Sequence, residues 1–278
     1  MYCDYWTLSE LPFESDGQTA RYVDVPEAET ALLKMRYLHD HAKPGGVLVG
    51  PSGVGKTLLV RRLADEIRSS DGDDLRPIVR ITYPRLQPAE LVAQLAVRLG
   101  AEPQRTDSTA VGLDRLIDRF GEQLEIASNL SRSPIIVLDD AHTIDDPNVW
   151  RTLRLLMNFQ DEPGGRFSLL LVGQNELLGR LQEHPELYGR MAIRAKLQPL
   201  SADSVARYVA GRLAHVGGGE LFDAAAIAEL ADLSSGIPRR INELADLTLL
   251  VGMADERDTL GRGDLQAADR ELHAITAT

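Results

Sequence analysis

Residues 50–57 of the chain read GPSGVGKT, and this stretch decides the fold. It matches the phosphate-loop pattern G-x-x-x-x-G-K-[ST] at every fixed position. The glycines let backbone N–H groups curl around phosphate oxygens, in a turn that a Cβ would obstruct. Lys56 supplies a cation for the β- and γ-phosphates, and the Thr57 hydroxyl is a ligand for Mg²⁺. The residues predicted to contact the nucleotide are Gly50, Pro51, Ser52, Gly53, Val54, Gly55, Lys56, Thr57 and Leu58.

Short apolar segments alternate with longer segments of helical spacing around this loop. The apolar segments lie at residues 47–49, 78–82, 135–138, 169–172 and 193–197. The helical segments lie at residues 56–69, 88–99, 112–130, 148–159 and 176–183. Most apolar segments contain no alternating polar residues, so we expect buried parallel strands. The pattern predicts an α/β fold in which a P-loop NTPase parallel sheet is flanked by helices.

The pattern changes after residue 200, where only helical signals follow. Ser201 and Asp223 are predicted helix N-caps, and Pro238 stands where the first turn of a helix tolerates proline. We therefore expect a small all-helical domain at the carboxyl end. The predicted parts are an N-terminal segment at residues 1–45, a P-loop core at 46–199 and a helical domain at 200–278.

Composition and charge exclude several classes of protein. Of 278 residues, 44% are hydrophobic and 26% are charged, as in ordinary globular proteins. No apolar run approaches the roughly 18 residues that span a bilayer, and the sequence start lacks a signal-peptide pattern. Cys3 is the single cysteine, so no intrachain disulfide forms, and we expect a cytoplasmic protein. A net charge of −12 argues against a uniformly basic nucleic-acid-binding surface but leaves room for a local basic patch.

A second acidic site follows the apolar segment at residues 134–140, which read PIIVLDD. In a P-loop protein an Asp at this strand end helps to hold Mg²⁺, and we assign that role to Asp139. Asp140 then orients or deprotonates the attacking water. The alternative is that the two carboxylates merely open the following loop. Gln174, or else Asn175, ends the next strand and is our candidate for contacting the γ-phosphate or its water.

With these motifs assembled, the sequence resembles AAA+ ATPases, and more narrowly the ExeA/GspA secretion-pathway ATPases and the TniB-type transposition helper ATPases. Residues 5–14, YWTLSELPFE, are similar to that group's opening segment. Residues 171–177, LVGQNEL, and residues 236–242, GIPRRIN, are similar to two further motifs of the group. The resemblance covers nearly the whole chain, from about residue 5 to residue 255.

The resemblance implies further roles for particular residues. Arg239 is similar to the sensor-2 arginine that reaches from the helical lid toward the γ-phosphate. Arg190 resembles the arginine finger that acts on a neighbouring subunit's ATP, and a solvated arginine at a helix end is the alternative. Each would put a permanent guanidinium charge where charge spreads over the transferring phosphoryl group. Tyr22, Val23 and Pro26 lie where the family's N-terminal segment borders the adenine, and an apolar linker packed on the core is the alternative.

The sequence departs from the family at the second acidic site, where DDAH replaces the usual DEAQ at residues 139–142. Asp140 is one methylene shorter than glutamate, so its carboxylate falls short of the water by more than about 1 Å, a misplacement that can cost about a hundredfold in rate. We expect His142 to face solvent, and a hydrogen bond from His142 at this site is the alternative. The six histidines show no zinc-ligand spacing, and no zinc site is predicted.

Three functions follow from these residues. The first is Mg-dependent ATP hydrolysis by a homo-oligomer that couples its nucleotide state, ATP or ADP, to a protein or DNA partner. The second is an ATP-gated interaction switch with little turnover, which the shortened Asp140 favours. The third is a DNA-associated helper ATPase for transposition or replication, which the resemblance alone suggests. A P-loop kinase for small molecules is a further alternative, which the helical carboxyl end argues against.

Overall fold

The computed structural model describes residues 2–14, 19, 22–69, 77–82, 84–103, 112–130 and 133–276. The chain divides into two compact units. The helical unit comprises Met1–Thr30, Pro51–Leu58 and Leu197–Thr278, and the sheet unit comprises Ala31–Gly50 and Leu59–Lys196. The phosphate loop therefore falls within the helical unit. The three-part division expected from the sequence stays a prediction.

Helices and strands alternate along the first two thirds of the chain, as predicted. The elements up to the third strand are α1 (Tyr2–Tyr5), α2 (Pro26–Asp40), β1 (Gly45–Val49), α3 (Lys56–Ser69), β2 (Ile78–Ile81), α4 (Pro88–Leu99), α5 (Leu113–Asn129) and β3 (Ile135–Leu138). Those that follow are α6 (Pro147–Leu156), β4 (Ser168–Gly173), α7 (Glu176–Gln182), α8 (Pro185–Arg190) and β5 (Met191–Lys196). Further 3₁₀ turns lie at Ala141–Thr143 and Met157–Asp161.

The five strands form one parallel sheet in the order β2-β3-β4-β1-β5. The three inner strands, β3, β4 and β1, are buried at every position. The edge strands β2 and β5 alternate between buried and more exposed residues. These observations confirm the prediction of buried parallel strands. The inner strands are buried because helices cover both faces of a parallel sheet.

Helices cover both faces of the sheet. On one face, Val47, Ile136 and Leu171 belong to a buried apolar cluster with residues of α4, α5 and α6. On the other face, α2 approaches so closely that a Cβ at Gly46 would lie 2.4 Å from the Leu38 methyl group. Successive residues along each strand thus face opposite helical layers, as the two-residue period of a strand requires.

The predicted helices are largely confirmed, with three differences. The helix expected at 148–159 becomes α6 followed by the 3₁₀ helix Met157–Asp161. Helix α2 was not predicted, although Leu32, Met35 and Leu38 are fully buried at helical spacing. Helix α8 has only six residues, which is too short for a periodic signal.

The helical unit contains four helices after residue 200, as expected: α9 (Ala202–His215), α10 (Ala224–Ser234), α11 (Pro238–Ala254) and α12 (Arg262–Thr276). Ser201 and Asp223 are N-caps that accept backbone N–H bonds, and Pro238 opens α11. The N-terminal segment is fixed to these helices, since Trp6 donates to the carbonyl of Leu249. In the part of the chain that the structure describes, no helix combines the length and apolarity needed to cross a membrane.

Candidate functional site

The phosphate loop has the backbone that its glycines predict. Gly53 and Gly55 adopt φ values of +77° and +103°, a region in which L side chains are strained. Helix α3 begins directly afterwards at Lys56 and runs for 14 residues. Its first turn presents backbone N–H groups and the positive end of the helix dipole, which favour an anion. The loop thus has the conformation of a phosphate cradle.

The side chain of Lys56 lies against the loop from which it rises. Its ammonium donates a hydrogen bond to the carbonyl oxygen of Pro51 at 2.8 Å, and the residue is only 8% exposed. Thr57 follows in the first turn of α3 and is half-buried. The ammonium is therefore already directed at the loop, where phosphate oxygens would compete for it as stronger acceptors.

Arg239 lies beside this loop within the helical unit. Its backbone N–H donates to the carbonyl oxygen of Gly53 at 3.3 Å, and a Cβ at Gly53 would lie 2.9 Å from that of Arg239. The residue is exposed, and its guanidinium makes no ion pair with the residues that the structure describes. The adjacent Arg240 is engaged elsewhere, by an ion pair with Asp269 at 2.8 Å. Of the two arginines, Arg239 is the one available to an anion at the loop.

The motif at residues 236–242 explains how Arg239 is held. Gly236 has φ +68°, and a Cβ there would lie 2.1 Å from the carbonyl oxygen of Leu200. At the other end of the motif, Asn242 accepts a hydrogen bond from the Tyr208 hydroxyl at 2.9 Å. Burial raises the pKa of Tyr208, so the phenol stays protonated as the donor. The glycine and the asparagine thus fix both ends of the first turns of α11.

In the sheet unit, Asp139 follows the last residue of β3. It is 2% exposed, and one carboxylate oxygen lies 3.2 Å from the guanidinium of Arg80. Arg80 stands on the neighbouring strand β2, opposite Val137 in the parallel register. Side chains of alternate strand residues share a face, so Val137 and Asp139 point to the side where Arg80 lies. The carboxylate predicted to hold magnesium is thus already paired with a cation.

Asp140 takes a left-handed backbone conformation, with φ +52° and ψ +33°. Asp tolerates this region better than most residues. Its side chain is 58% exposed and reaches toward His142, whose Nδ1 lies 3.9 Å from the carboxylate. The expectation that His142 faces solvent is wrong, because its side chain is only 15% exposed and its Nε2 contacts Gln174.

Gln174 and Asn175 follow β4, which pairs with both β1 and β3. The Gln174 amide lies 3.0 Å from Nε2 of His142 and is half-buried. Asn175 is exposed and makes no side-chain capping bond at the start of α7. Of the two alternatives, Gln174 lies with the acidic residues at the carboxyl edge of the sheet.

Arg190 is not brought to this edge. It precedes β5, whose first residue, Met191, is opposite Gly45 at the start of β1. Its guanidinium bonds the carbonyl oxygen of Met157 at 2.7 Å and pairs with Asp161 at 2.8 Å. It lines an open cleft of about 560 Å³ at the amino edge of the sheet. Within the sheet unit, Arg190 and the Asp139 site therefore lie at opposite strand ends.

The segment expected to border the adenine is anchored in the helical unit. Val23 lies over α9, where a Cβ at Gly211 would come within 2.8 Å of its methyl group. This contact fixes the position of the segment and leaves its role toward adenine a prediction.

The oxygen ligands of the site suit magnesium. Within the described ranges no group of three or more His, Cys, Asp and Glu side chains is placed to hold a metal ion. Mg²⁺ is usually bound through one or two carboxylates, water and substrate phosphates, so a site made only of protein ligands is not required. The Thr57 hydroxyl and the Asp139 carboxylate are ligands of this kind. Each is an oxygen donor of the kind that Mg²⁺ binds, and their joint role in holding the ion stays a prediction.

The parallel sheet, the glycine-rich loop before α3 and the acidic strand end define a P-loop protein of the AAA+ class. Residues 39–181, slightly more than half of the chain, match the model of the AAA_22 family, described as an AAA domain. The chain belongs to this family.

Relatives agree with this assignment. The chain is 29% identical over 281 residues to General secretion pathway protein A of Aeromonas hydrophila. The match covers 99% of the chain and 49% of that protein, so the chain spans about half the length of this relative. The resemblance to the secretion-pathway group is thereby supported by a full-length comparison of the chain.

Solved structures share the fold. The ORC1 protein of Aeropyrum pernix, solved in complex with DNA, has a TM-score of 0.72 and 19% identity, covering 94% of the chain and 68% of that protein. Cdc6p of Pyrobaculum aerophilum also has a TM-score of 0.72, with 20% identity, 94% of the chain and 70% of that protein. The RuvB Holliday junction branch migration motor of Thermotoga maritima has a TM-score of 0.60 and 18% identity, covering 92% and 74%. At these identities the likeness concerns the fold.

Sequence reasoning missed two residues of the site. Arg80 lies inside the apolar segment that predicts strand β2, so the sequence pattern gave it no separate role. Only the register with β3 brings it to Asp139. His142 was assigned to solvent, and only the structure shows its contact with Gln174. Both contacts depend on neighbouring strands rather than on local spacing.

Proposed function

We propose that the chain binds ATP with Mg²⁺ and hydrolyses it, acting in an oligomer that couples nucleotide state to a partner. The observation that carries this proposal is the phosphate loop, with Gly53 and Gly55 at positive φ and the Lys56 ammonium directed back at the loop. Family membership supports it, because AAA domain proteins are nucleotide-binding ATPases.

Each residue has a defined task in this proposal. The loop amides and Lys56 bind the β- and γ-phosphates, and Thr57 and Asp139 hold the magnesium ion. Bound magnesium neutralises charge on those phosphates. Asp140 orients the attacking water, Gln174 contacts the γ-phosphate or that water, and Arg239 places a permanent positive charge near the γ-phosphate.

Calorimetry and steady-state hydrolysis with a lysine-matched control test the proposal. Lys56→Ala should lose measurable affinity for Mg-ATP and all hydrolysis above background, because the phosphates lose their only flexible cation in the loop. Lys34→Ala removes an exposed ammonium that bonds the carbonyl oxygen of Arg194, so it should behave as the wild type. If calorimetry detects no binding of Mg-ATP to the folded wild-type protein, the proposal is wrong.

A second function, an ATP-gated switch with little turnover, is favoured by one observation. The short Asp140 carboxylate is 58% exposed and lies 3.9 Å from the nearest histidine nitrogen, so no hydrogen bond to His142 orients it. This function predicts tight Mg-ATP binding with a hydrolysis rate equal to that of Lys56→Ala. A wild-type rate well above that of the variant excludes the switch.

The partner that responds to the nucleotide state is proposed only as a class of macromolecule, protein or DNA. The relative in Aeromonas hydrophila is a general secretion pathway protein, whereas the ORC1 and RuvB structures concern DNA. The net charge of −12 disfavours a broad DNA-binding surface. We therefore propose a protein partner, with DNA as the alternative. DNA-stimulated hydrolysis that falls steeply with salt would favour the alternative.

A further inference from the structure

His142 occupies a half-buried position between two strand ends of the sheet unit. Asp140 turns the chain through a left-handed conformation, and the 3₁₀ helix Ala141–Thr143 follows at once. Thr143 closes this turn, since both its backbone N–H and its hydroxyl donate to the carbonyl oxygen of Asp140, at 2.9 Å and 2.8 Å. The turn carries the imidazole away from solvent and toward the end of β4, where Gln174 stands.

The contact between His142 and Gln174 defines which group donates. The amide nitrogen of Gln174 lies 3.0 Å from Nε2 of His142. An amide nitrogen carries two N–H donors and no acceptor, so the imidazole Nε2 must accept. One amide N–H of Gln174 is thus used by His142, and the second N–H and the carbonyl oxygen are held in a fixed plane.

The other ring nitrogen faces the acidic strand end. Nδ1 of His142 is buried and makes no hydrogen bond to any residue that the structure describes. It lies 3.9 Å from the Asp140 carboxylate, beyond hydrogen-bond distance. The backbone of Gly173 makes room for the ring, because a Cβ there would lie 3.2 Å from Nδ1. The imidazole therefore fills the space between Asp140 and Gln174 and bonds only the amide.

We propose that His142 is a positioning residue for hydrolysis, which acts by fixing the orientation of the Gln174 amide. The amide of a glutamine is attached through a flexible chain, and a free amide would rotate among several orientations. Reacting groups must be placed within a fraction of an ångström, so an amide held by a fixed acceptor is more effective than a free one. This proposal rests on the proposed function, because Gln174 acts on the γ-phosphate or its water there.

Variants of equal length separate positioning from packing. His142→Gln keeps an acceptor near the place of Nε2, whereas His142→Met has a similar length without a comparable acceptor. We expect His142→Met to lower kcat about tenfold, the value of about one hydrogen bond, with KM and the calorimetric affinity for Mg-ATP unchanged. His142→Gln should retain most of the wild-type kcat. His215→Met is the matched control and should retain full activity, because His215 is exposed and its Nδ1 bonds the backbone carbonyl of Gly211 in α9.

The double variant tests whether His142 acts through Gln174. His142→Met combined with Gln174→Ala should be no slower than Gln174→Ala alone, since both changes remove one interaction. Equal losses in His142→Met and His142→Gln would show that the ring matters only for packing and would overturn the proposal. Losses that multiply in the double variant, or a His142→Met rate equal to the wild type, would also overturn it.

Nuclear magnetic resonance detects the contact between His142 and Gln174 in the absence of nucleotide. The ¹⁵N signal of His142 Nε2 should shift in Gln174→Ala, while that of His215 stays unchanged. If the wild type neither binds nor hydrolyses ATP, the proposed function fails, and this measurement still decides the contact. A shift under those conditions supports the fixed amide, and an unchanged His142 signal overturns it.

Discussion

Gly236 shows how one backbone position determines where Arg239 lies. Gly236 has φ +68°, and a Cβ there would lie 2.1 Å from the carbonyl oxygen of Leu200. The position therefore has no room for a side chain. The carbonyl of Gly236 also accepts the N–H of Leu200 at 2.8 Å. A Cβ would therefore displace the entry to α11 and Arg239 with it.

Gly236→Ala should lower the free energy of unfolding by at least about 2 kcal/mol, because backbone strain and a backbone clash add. Gly217→Ala is the matched control. Gly217 also has positive φ, +78°, but its Cβ direction is open, so only a strain cost of about 1 kcal/mol is expected. Urea unfolding measures both, and equal losses in the two variants would contradict the clash.

At the scale of elements, the pairing of β2 with β3 places Arg80 against Asp139. Arg80→Met leaves a buried carboxylate with one fewer cationic partner. We expect a loss of about 2 kcal/mol in the free energy of unfolding, measured with a chelator present, because desolvated charges depend on their partners. Arg80→Met with Asp139→Asn should recover part of this loss.

An exposed ion pair in the same unit is the control for this prediction. Arg85 and Asp145 lie 3.0 Å apart with 53% and 58% of their side chains exposed. Exposed pairs contribute little, so Arg85→Met should change stability by less than about 0.5 kcal/mol. If Arg80→Met is as mild as Arg85→Met, the β2–β3 ion pair does not stabilise the strand ends.

The contact between α2 and α3 gives the sheet unit a defined pH dependence. Arg36 bonds both carboxylate oxygens of Glu66 at 2.8 Å, and Arg62 approaches one of them at 3.0 Å. The hydrogen bonds from Arg36, and its charge with that of Arg62, lower the pKa of Glu66. Because the pKa of Glu66 is lower in the folded state, its ionised carboxylate stabilises the protein at pH values above the ordinary glutamate pKa. This stabilisation is lost as the pH falls through the folded-state pKa.

Glu66→Gln should therefore be less stable than the wild type at neutral pH, and the difference should shrink below about pH 4. Chemical unfolding at several pH values measures this difference. Glu186→Gln serves as control, because Glu186 pairs with Arg154 while its side chain is 71% exposed. A difference for Glu66→Gln that stays constant with pH would contradict the ionic account.

The elements that the sequence predicted are those whose signal is local. The loop at residues 50–57, the buried run at 135–138 and the cap Ser201 each carry their pattern within a few residues. Helix α2 also carries a periodic signal in Leu32, Met35 and Leu38 and was open to prediction. The contacts Arg80–Asp139 and His142–Gln174 were not, because each joins two strand ends through the sheet order.

At the scale of the whole molecule, Arg190 bears on assembly. Within the sheet unit it lies at the amino edge, whereas Asp139 lies at the carboxyl edge. If Arg190 is an arginine finger, it serves a neighbouring subunit. Arg190→Ala should then bind Mg-ATP normally and hydrolyse it at least about a hundredfold more slowly. Arg151→Ala, which removes an exposed arginine that contacts Asn148, should retain full activity.

Mixing two inactive variants separates a role between subunits from a role within one. In a random oligomer of Arg190→Ala and Lys56→Ala subunits, about a quarter of the interfaces join an intact phosphate loop to an intact Arg190. Hydrolysis should therefore reappear on mixing, and size-exclusion chromatography with nucleotide should confirm that the subunits assemble. Assembly without restored hydrolysis would mean that Arg190 acts within its own chain, through its bonds to Met157 and Asp161. In that case Asp161→Asn should lose less stability than Arg190→Ala, because it weakens only the ion pair, whereas Arg190→Ala also removes the bond to the Met157 carbonyl.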